Sequence, residues 1–476
     1  MSDSDLCYLG AAEALRRFKA RRLSPVELVD ALAARIERVG PKVNAFTYVY
    51  AERARAAARR AEARYAKTDG RLRPLEGLPV VIKDDTAIAG DRTTYGSLLY
   101  KDNIDETTAP SADRILKAGA LLLGRSTTPE FAAAGICWSR LWGVTATPWN
   151  LRYSAGGSSG GAGAALAAGL TTLANGTDIG GSVRIPAAAC GIYGFKPPYG
   201  RNPEAPAFNL DWYNHAGPMA RSVADCALLQ NVMSGPDPRD IAAIRPKLRI
   251  PKALDRNLKG WRIAYSPALD IFEVDREVAA RTEAAVEAFR SMGAMVEEVE
   301  LGWPPSIAKA AADHLGAIFG AWIAETFAPK ERRHMTSYVR AFAASPAPKL
   351  IELLASMETE GRMFEKLGAL FRRYRLLLCP TTALPSMPAA FDPAKDSARI
   401  NGKPVDSFFG VYMTWPFNMM SRCPVMSVPS GFAKSGVPTG LQIVGRPFDD
   451  VSVFRAAAAF EMLHPLYDKP IRRPKL

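Results

Sequence analysis

What this 476-residue chain lacks narrows its chemistry before any motif is read. No stretch approaches the roughly 18 uninterrupted apolar residues of a membrane span. The opening MSDSDLCYLG carries acids where an export leader would place basic residues ahead of an apolar segment. The sequence therefore reads as unexported and cytoplasmic, with no membrane association. Its six cysteines (Cys7, Cys137, Cys190, Cys226, Cys379, Cys423) are scattered and form no C-x-x-C, which points away from a metal site or disulfide framework and toward reduced thiols. Internal repeats and low-complexity tracts are absent as well. Positive charge is plentiful: 61 Lys and Arg against 48 Asp and Glu give a formal net charge of +13. Those basic residues lie among acids at helical spacing, as on solvated helix faces. No basic block interleaved with aromatics marks a nucleic-acid reader.

With 48% hydrophobic residues the chain can bury a large core. The first forty residues read as two helices. The second opens at SPVE, with Ser24 as N-cap, Pro25 at the first helical position and Glu27 closing a capping box, and Leu28, Leu32, Ile36 and Val39 fall on one face. From about Leu78 short apolar runs alternate with helical segments: LPVVIK, LLLG and TTLAN as strands, SADRILKAGA and GAGAALAAGL as helices. That alternation predicts an α/β layered fold with a largely parallel sheet. The proline- and charge-rich stretch 234–260 marks a boundary or a surface excursion. After it, WRIAYSP and AMVEEVEL read as strands around a strong amphipathic helix, 307–374 reads as mostly helical, and RLLLCPTTALP, CPVMSVPSGF and GLQIVGR return to the core. The expected organisation is one compact domain: a helical segment over 1–70, a core over 71–235, a variable and largely helical region over 236–375, and the remainder of the core over 376–476.

The glycine-rich stretch YSAGGSSGGAGAALAAGL, residues 153–170, invites several readings. A phosphate-binding loop would need Lys and then Ser or Thr where Ala162 and Gly163 stand. A dinucleotide fingerprint starting at Gly161 meets Leu166 where a small residue is required. Residues 157–161 satisfy G-x-S-x-G, and His215, His314, His334 or His464 could serve as base, but no strand precedes the motif as a nucleophile elbow demands. A second segment, NGTDIGGSVRIPAAACGIYGFKP, places Ile179, Gly180, Gly181 and Ser182 in a turn whose backbone N–H groups can converge on one point, as in an oxyanion hole; a plain packed glycine turn is the alternative. Earlier, Lys83 directly follows the apolar run Val80–Ile82. Its stem either enters the interior or pairs at the strand end with Asp84 or Asp85.

Taken together these segments resemble the amidase signature family of serine hydrolases. The likeness rests on VVIKDD, GGSSGGAGAALAAG, GTDIGGSVRIPAAACGIYGFKP with GPMARSVADCALL, and the late WPFNMMSRCPVMSVPSGF with GLQIVGR. Separations of 75 residues from Lys83 to Ser158 and 24 from Ser158 to Ser182 match the family's triad. The resemblance implies an α/β fold with a large mixed central sheet flanked by helices on both faces. It also implies Ser182 as nucleophile, Ser158 as bridging serine after a cis peptide bond, Lys83 as base and Ser159 in support. Burial would favour the neutral amine that a base requires. Asp178 and Arg184 flank the nucleophile turn and are expected to brace it, the alternative being solvated loop charges.

No cofactor or metal enters this chemistry. By the resemblance Phe131 and Ala132 belong to the acyl pocket, together with Ser158; Trp212, Tyr213 and Trp415 are added on aromatic character alone. The implied activity is hydrolysis of a small to medium amide with an apolar or aryl portion, by a monomer or homodimer. Three alternatives stay open: a carbamate or ester hydrolase with the same triad, the glutaminase subunit of a tRNA-dependent amidotransferase, and an inactive binding protein on the same scaffold. The late SFFGVYMTWPFNMMSRCPVMSVPSG looks more like stand-alone amidases than like the glutaminase subunit.

Overall fold

Eleven strands form one continuous sheet in the computed structural model, which describes residues 3–67 and 71–476. Across the sheet the order is Phe46–Val49, Leu121–Ser126, Pro79–Lys83, Leu173–Thr177, Ala216–Ala220, Tyr193–Lys196, Val425–Phe432, Pro438–Gly445, Leu376–Pro380, Arg262–Tyr265 and Met295–Glu298. Four of the neighbouring pairs are parallel and six antiparallel. The sheet is therefore mixed, and the largely parallel sheet predicted from alternation is corrected. Val425–Phe432 and Pro438–Gly445 are joined by a short connection and pair as a hairpin, which only antiparallel strands can do. Tyr193–Lys196 and Ala216–Ala220 also pair antiparallel. Their sequences, YGFK and AGPMA, carry neither alternation nor a β-branched run to announce them.

The parallel strands read as expected. Pro79–Lys83 and Leu121–Ser126 are buried along their whole length, the mark of strands covered on both faces. At the N-terminus the helix Pro25–Val43 begins with the predicted capping box: the Ser24 hydroxyl accepts from Val26 N at 3.0 Å and the Glu27 carboxylate accepts from Ser24 N at 2.7 Å. Its apolar face, Leu28, Leu32, Ile36 and Val39, is buried in the larger core cluster. Residues 234–260 form neither helix nor strand. Beyond them the helices Ile307–Leu315, Ser337–Ala344 and Leu350–Arg373 build a layer with its own apolar clusters. All six cysteines are buried, and among the described residues no helix is long and apolar enough to cross a membrane.

One charge sits deep in the sheet. Lys196, the last residue of its strand, is fully buried and points its ammonium at the carbonyls of Cys423 (3.0 Å), Pro197 (3.3 Å) and Ser421 (3.4 Å), with His215 Nε2 at 3.4 Å. Burial, reinforced by repulsion from Arg184, lowers its pKa from 10.5 to about 7. Between those two values the unfolded chain binds the proton and the folded one does not. This group therefore destabilises the fold fully below pH 7, and stability rises as pH climbs from about 7 toward 10.5. Denaturant melts of wild type and Lys196→Met at steps across that window should show the wild-type rise reduced in the variant; parallel curves would reject this account.

Candidate active site

The ends of two neighbouring parallel strands set the geometry. Pro79–Lys83 pairs with Leu173–Thr177, and their C-terminal residues meet: Lys83 Nζ donates to Thr177 Oγ1 at 2.7 Å. The same nitrogen lies 2.8 Å from Ser158 Oγ and 2.8 Å from Asp85 Oδ2. Lys83 has no solvent exposure, so the two readings of the sequence both hold: the stem is interior, and the amine is paired with Asp85. Asp84 turns the other way, accepting from the amide of Thr94 at 3.1 Å and from its hydroxyl. Burial pushes the Asp84 carboxyl up to about 7.

Ser158 arrives on the glycine-rich loop ahead of the helix Gly160–Ala167, after a cis Gly157–Ser158 peptide bond. A Cβ at Gly157 would stand 2.1 Å from the carbonyl oxygen of Ile136, so no other residue fits there. Ser159 ties this loop to the next one: its N–H donates to the Ser182 carbonyl at 3.1 Å, and its hydroxyl to the Thr177 carbonyl at 3.4 Å.

Residues 178–184 form a turn fastened from beneath. Asp178 and Arg184 are fully buried and make a two-pronged ion pair, Nη2 to Oδ1 at 2.8 Å and Nε to Oδ2 at 3.0 Å, which excludes the solvated alternative. Although burial alone raises a carboxyl, the Arg184 charge and the hydrogen bonds from Arg184 and Asn418 hold Asp178 well below the usual carboxylate range. Arg184 also donates to Thr414 O, Gln442 Oε1 and Asn418 Oδ1 at 2.7–2.9 Å, binding the turn to two distant parts of the chain. Gly181 adopts φ +127°, and a Cβ there would strike Thr414 Oγ1 at 1.9 Å.

The turn presents fewer free amides than expected. Gly181 N donates to Asp178 Oδ1 at 2.8 Å, so this member of the anticipated oxyanion set is occupied within the protein. Among the described residues the N–H groups of Ile179, Gly180 and Ser182 have no partner, and these three residues line a cleft of about 380 Å³. Ser182 is 8% exposed, and its hydroxyl makes no hydrogen bond among the described residues; Ser158 has no exposure. Ala132 and its successors through Gly135 form one wall of the cleft. Glu130 anchors that wall: its carboxylate accepts from Ser97 Oγ at 2.6 Å and from Thr336 N at 2.5 Å, while Phe131 and Ala132 take left-handed backbone conformations.

Four aromatic residues expected at the pocket stand elsewhere. Phe131 packs into the core against Phe327 and Trp322. Tyr213 and Trp415 are 1% exposed core residues. Trp212 and Tyr213 donate to Glu360 at 2.9 and 2.7 Å. None of the four lines the cleft, whose aromatic lining comes instead from Phe319, Tyr338, Phe342, Phe408, Phe409 and Tyr412. Sequence reasoning passed over these, and also over Thr177, Thr414, Asn418 and Gln442. The last four fall in or beside quoted motifs (GTDIGGS, WPFN, GLQIVGR), so the motifs themselves held the signal; the lining aromatics of the helical layer had none.

A family model for amidases matches residues 27–454. The chain is 36% identical to an acylamidase of Rhodococcus erythropolis, over 98% of both proteins. It is 34% identical to a glutamyl-tRNA(Gln) amidotransferase subunit of Anaeromyxobacter sp. (strain K), again over 98% of each. In three dimensions it resembles the crystal structure of a bacterial aryl acylamidase, with TM-score 0.88 and 31% identity over 96% of both chains. On the strength of this match along nearly its entire length, the chain belongs to the amidase signature family and is an amide hydrolase.

Proposed function

We propose that the protein cleaves linear amides carrying an apolar or aryl group through an acyl-enzyme on Ser182. The observation that carries this reading is the 2.8 Å contact between Lys83 Nζ and Ser158 Oγ, on a loop that the Ser159 N–H ties at 3.1 Å to the carbonyl of the cleft residue Ser182. In the first step the Lys83 amine takes the Ser158 proton while Ser158 takes that of Ser182. The Ser182 oxygen bonds to the substrate carbonyl carbon, and the carbonyl π pair moves onto oxygen. The N–H groups of Ile179, Gly180 and Ser182 receive that oxyanion. When it collapses, the C–N bond breaks and the amine leaves with the proton returned from the Lys83 ammonium by way of Ser158. Water then repeats the sequence on the acyl-enzyme and releases the acid. Asp85 and Thr177 are positioning residues that keep the amine aimed at Ser158.

The cleft supports the substrate class. Asp406 is the single charged residue lining it among the described residues, and its Oδ1 is engaged by the amides of Phe408 and Phe409 at 2.8 and 2.6 Å. A zwitterionic amino acid amide such as glutamine needs complementary charges of both signs, and among the described residues no basic side chain lines the cleft to meet its carboxylate. This weighs against the glutaminase reading. Carbamates and esters would use the same residues and remain the competing substrate classes.

Ser182→Ala, Ser158→Ala and Lys83→Ala should each lower kcat/KM for an aryl anilide by at least roughly 10,000-fold while the protein stays folded; fluorophosphonate labelling read by intact mass should be lost in Ser182→Ala. Substantial turnover by folded Ser182→Ala would remove the proposal. The ring of Phe408 packs over Gly180, so Phe408→Ala should raise KM for an aryl anilide by roughly 10- to 100-fold, the ~1.5–3 kcal/mol of a buried aromatic contact. A panel of matched aryl amide, carbamate and ester, ranked by kcat/KM, should place the amide first; a carbamate in that place would transfer the assignment to urethane hydrolysis.

A further inference from the structure

The Leu350–Arg373 helix packs one face, including Ser356, Met363, Leu367 and Phe371, against the protein. On another face Leu350, Leu354, Met357 and Phe364 are 82, 58, 40 and 40% exposed. With Gly361 and Gly368 these residues recur at alternating spacings of four and three, the seam of a helix that packs against another helix. Nothing among the described residues covers this seam or explains its glycines. A Cβ at Gly361 would meet no atom within 4 Å, and one at Gly368 would meet only Phe364 of the same helix. A glycine within a helix costs about 1 kcal/mol relative to alanine and is retained where another backbone must come close.

We propose that this face is where two copies of the chain associate, their Leu350–Arg373 helices crossing antiparallel about a two-fold axis that passes between Met357 and Gly361. The seam is self-complementary in that register and in no parallel one. Leu350 of each copy lies over Gly368 of the other, Met357 over Gly361, and Leu354 against Phe364, so large residues meet small ones at the glycines and apolar side chains meet between them. Such a two-fold contact is closed and isologous. The charged flank agrees: Glu358 and Arg362 form an exposed ion pair within the helix. The same two-fold brings each Glu358 within about a turn of the other copy's Arg362. That edge carries Glu358, Arg362 and Glu365, charges of both signs that the same edge of a second copy can match and that a bilayer cannot, which makes a second copy the better occupant. One helix pair buries less than the roughly 800 Å² per partner of a standard interface, so the dimer is expected to dissociate in the micromolar range.

Sedimentation velocity on the full chain, from low to high micromolar concentration, should show a reversible monomer–dimer equilibrium. Leu354→Glu and Gly361→Leu should each weaken it about tenfold or more. Gly361→Leu should do so with an unchanged or raised Tm, because leucine is the better helix former and a Cβ there meets nothing inside its own chain. Under mild oxidation Met357→Cys/Gly361→Cys should give a disulfide-linked dimer, whereas Leu350→Cys/Gly361→Cys, one heptad out of register, should not; the buried native cysteines keep the background low. A wild type monomeric at every concentration would overturn the proposal, as would a dimer indifferent to both seam substitutions. A dimer that fails to cross-link in register rejects the antiparallel arrangement. Binding of monomeric protein to phosphatidylcholine vesicles, lost in Leu354→Glu, would assign the face to a membrane instead.

Discussion

A buried arginine holds this structure's chemistry together. Arg184 and Asp178 bracket the turn of residues 179–182 and are removed from water together, an arrangement that is stable only when every donor and lone pair finds a partner. Here they do: the guanidinium reaches Asp178, Thr414, Asn418 and Gln442, and the carboxylate accepts from Arg184, Gly181, Val183 and Asn418. The result is a turn whose path is set from below, leaving the amides of Ile179, Gly180 and Ser182 unclaimed on the cleft side. In the proposed reaction, donors fixed in this way need not reorient as charge develops.

Lys83 is the second constraint, and it shows how strand topology becomes chemistry. An amine cannot stand in a protein interior without partners, and a strand end gives it a limited choice. Because Pro79–Lys83 and Leu173–Thr177 run parallel, their last residues share one edge of the sheet, where the backbone ladder ends and side chains can converge. Thr177 and Asp85 hold the amine from one side and Ser158 from another. Ser159 then links the loop of Ser158 to the carbonyl of Ser182. Three chain segments far apart in sequence thus meet through polar contacts that each satisfy a buried group.

Around this fixed machinery the helical layer supplies the shape. Glu130 connects the 130–135 wall to the segment entering Ser337–Ala344 by accepting from Thr336 N, and Tyr338 accepts from Glu130 N at 2.8 Å. The cleft's aromatics come from that layer and from the 406–412 loop, so its contour depends on parts of the chain separate from Lys83, Ser158 and Ser182. Apolar lining and engaged polar groups together favour substrates that bring little charge of their own.

The parallel strands, the capped N-terminal helix and the positions of Lys83, Ser158, Ser182, Asp178 and Arg184 were legible in the residues, because each is signalled locally: a continuous apolar run, a capping box, or a glycine-rich motif of fixed spacing. Strand pairing was not, since the antiparallel centre of the sheet is built from short glycine-bearing strands whose partners lie far along the chain. The pocket was the least legible part. Trp212, Tyr213 and Trp415 are as aromatic as Phe342 or Phe408, and composition cannot tell a ring that fills the core from one that faces a substrate. Nor could a run of glycines reveal that the amide of Gly181 bonds to Asp178. The sequence by itself determined which chemical groups this protein owns and the local turns that carry them. Only the tertiary structure decided which of those groups are free to act, because a hydrogen bond or a contact made across the fold is a property of distance in space and not of order along the chain.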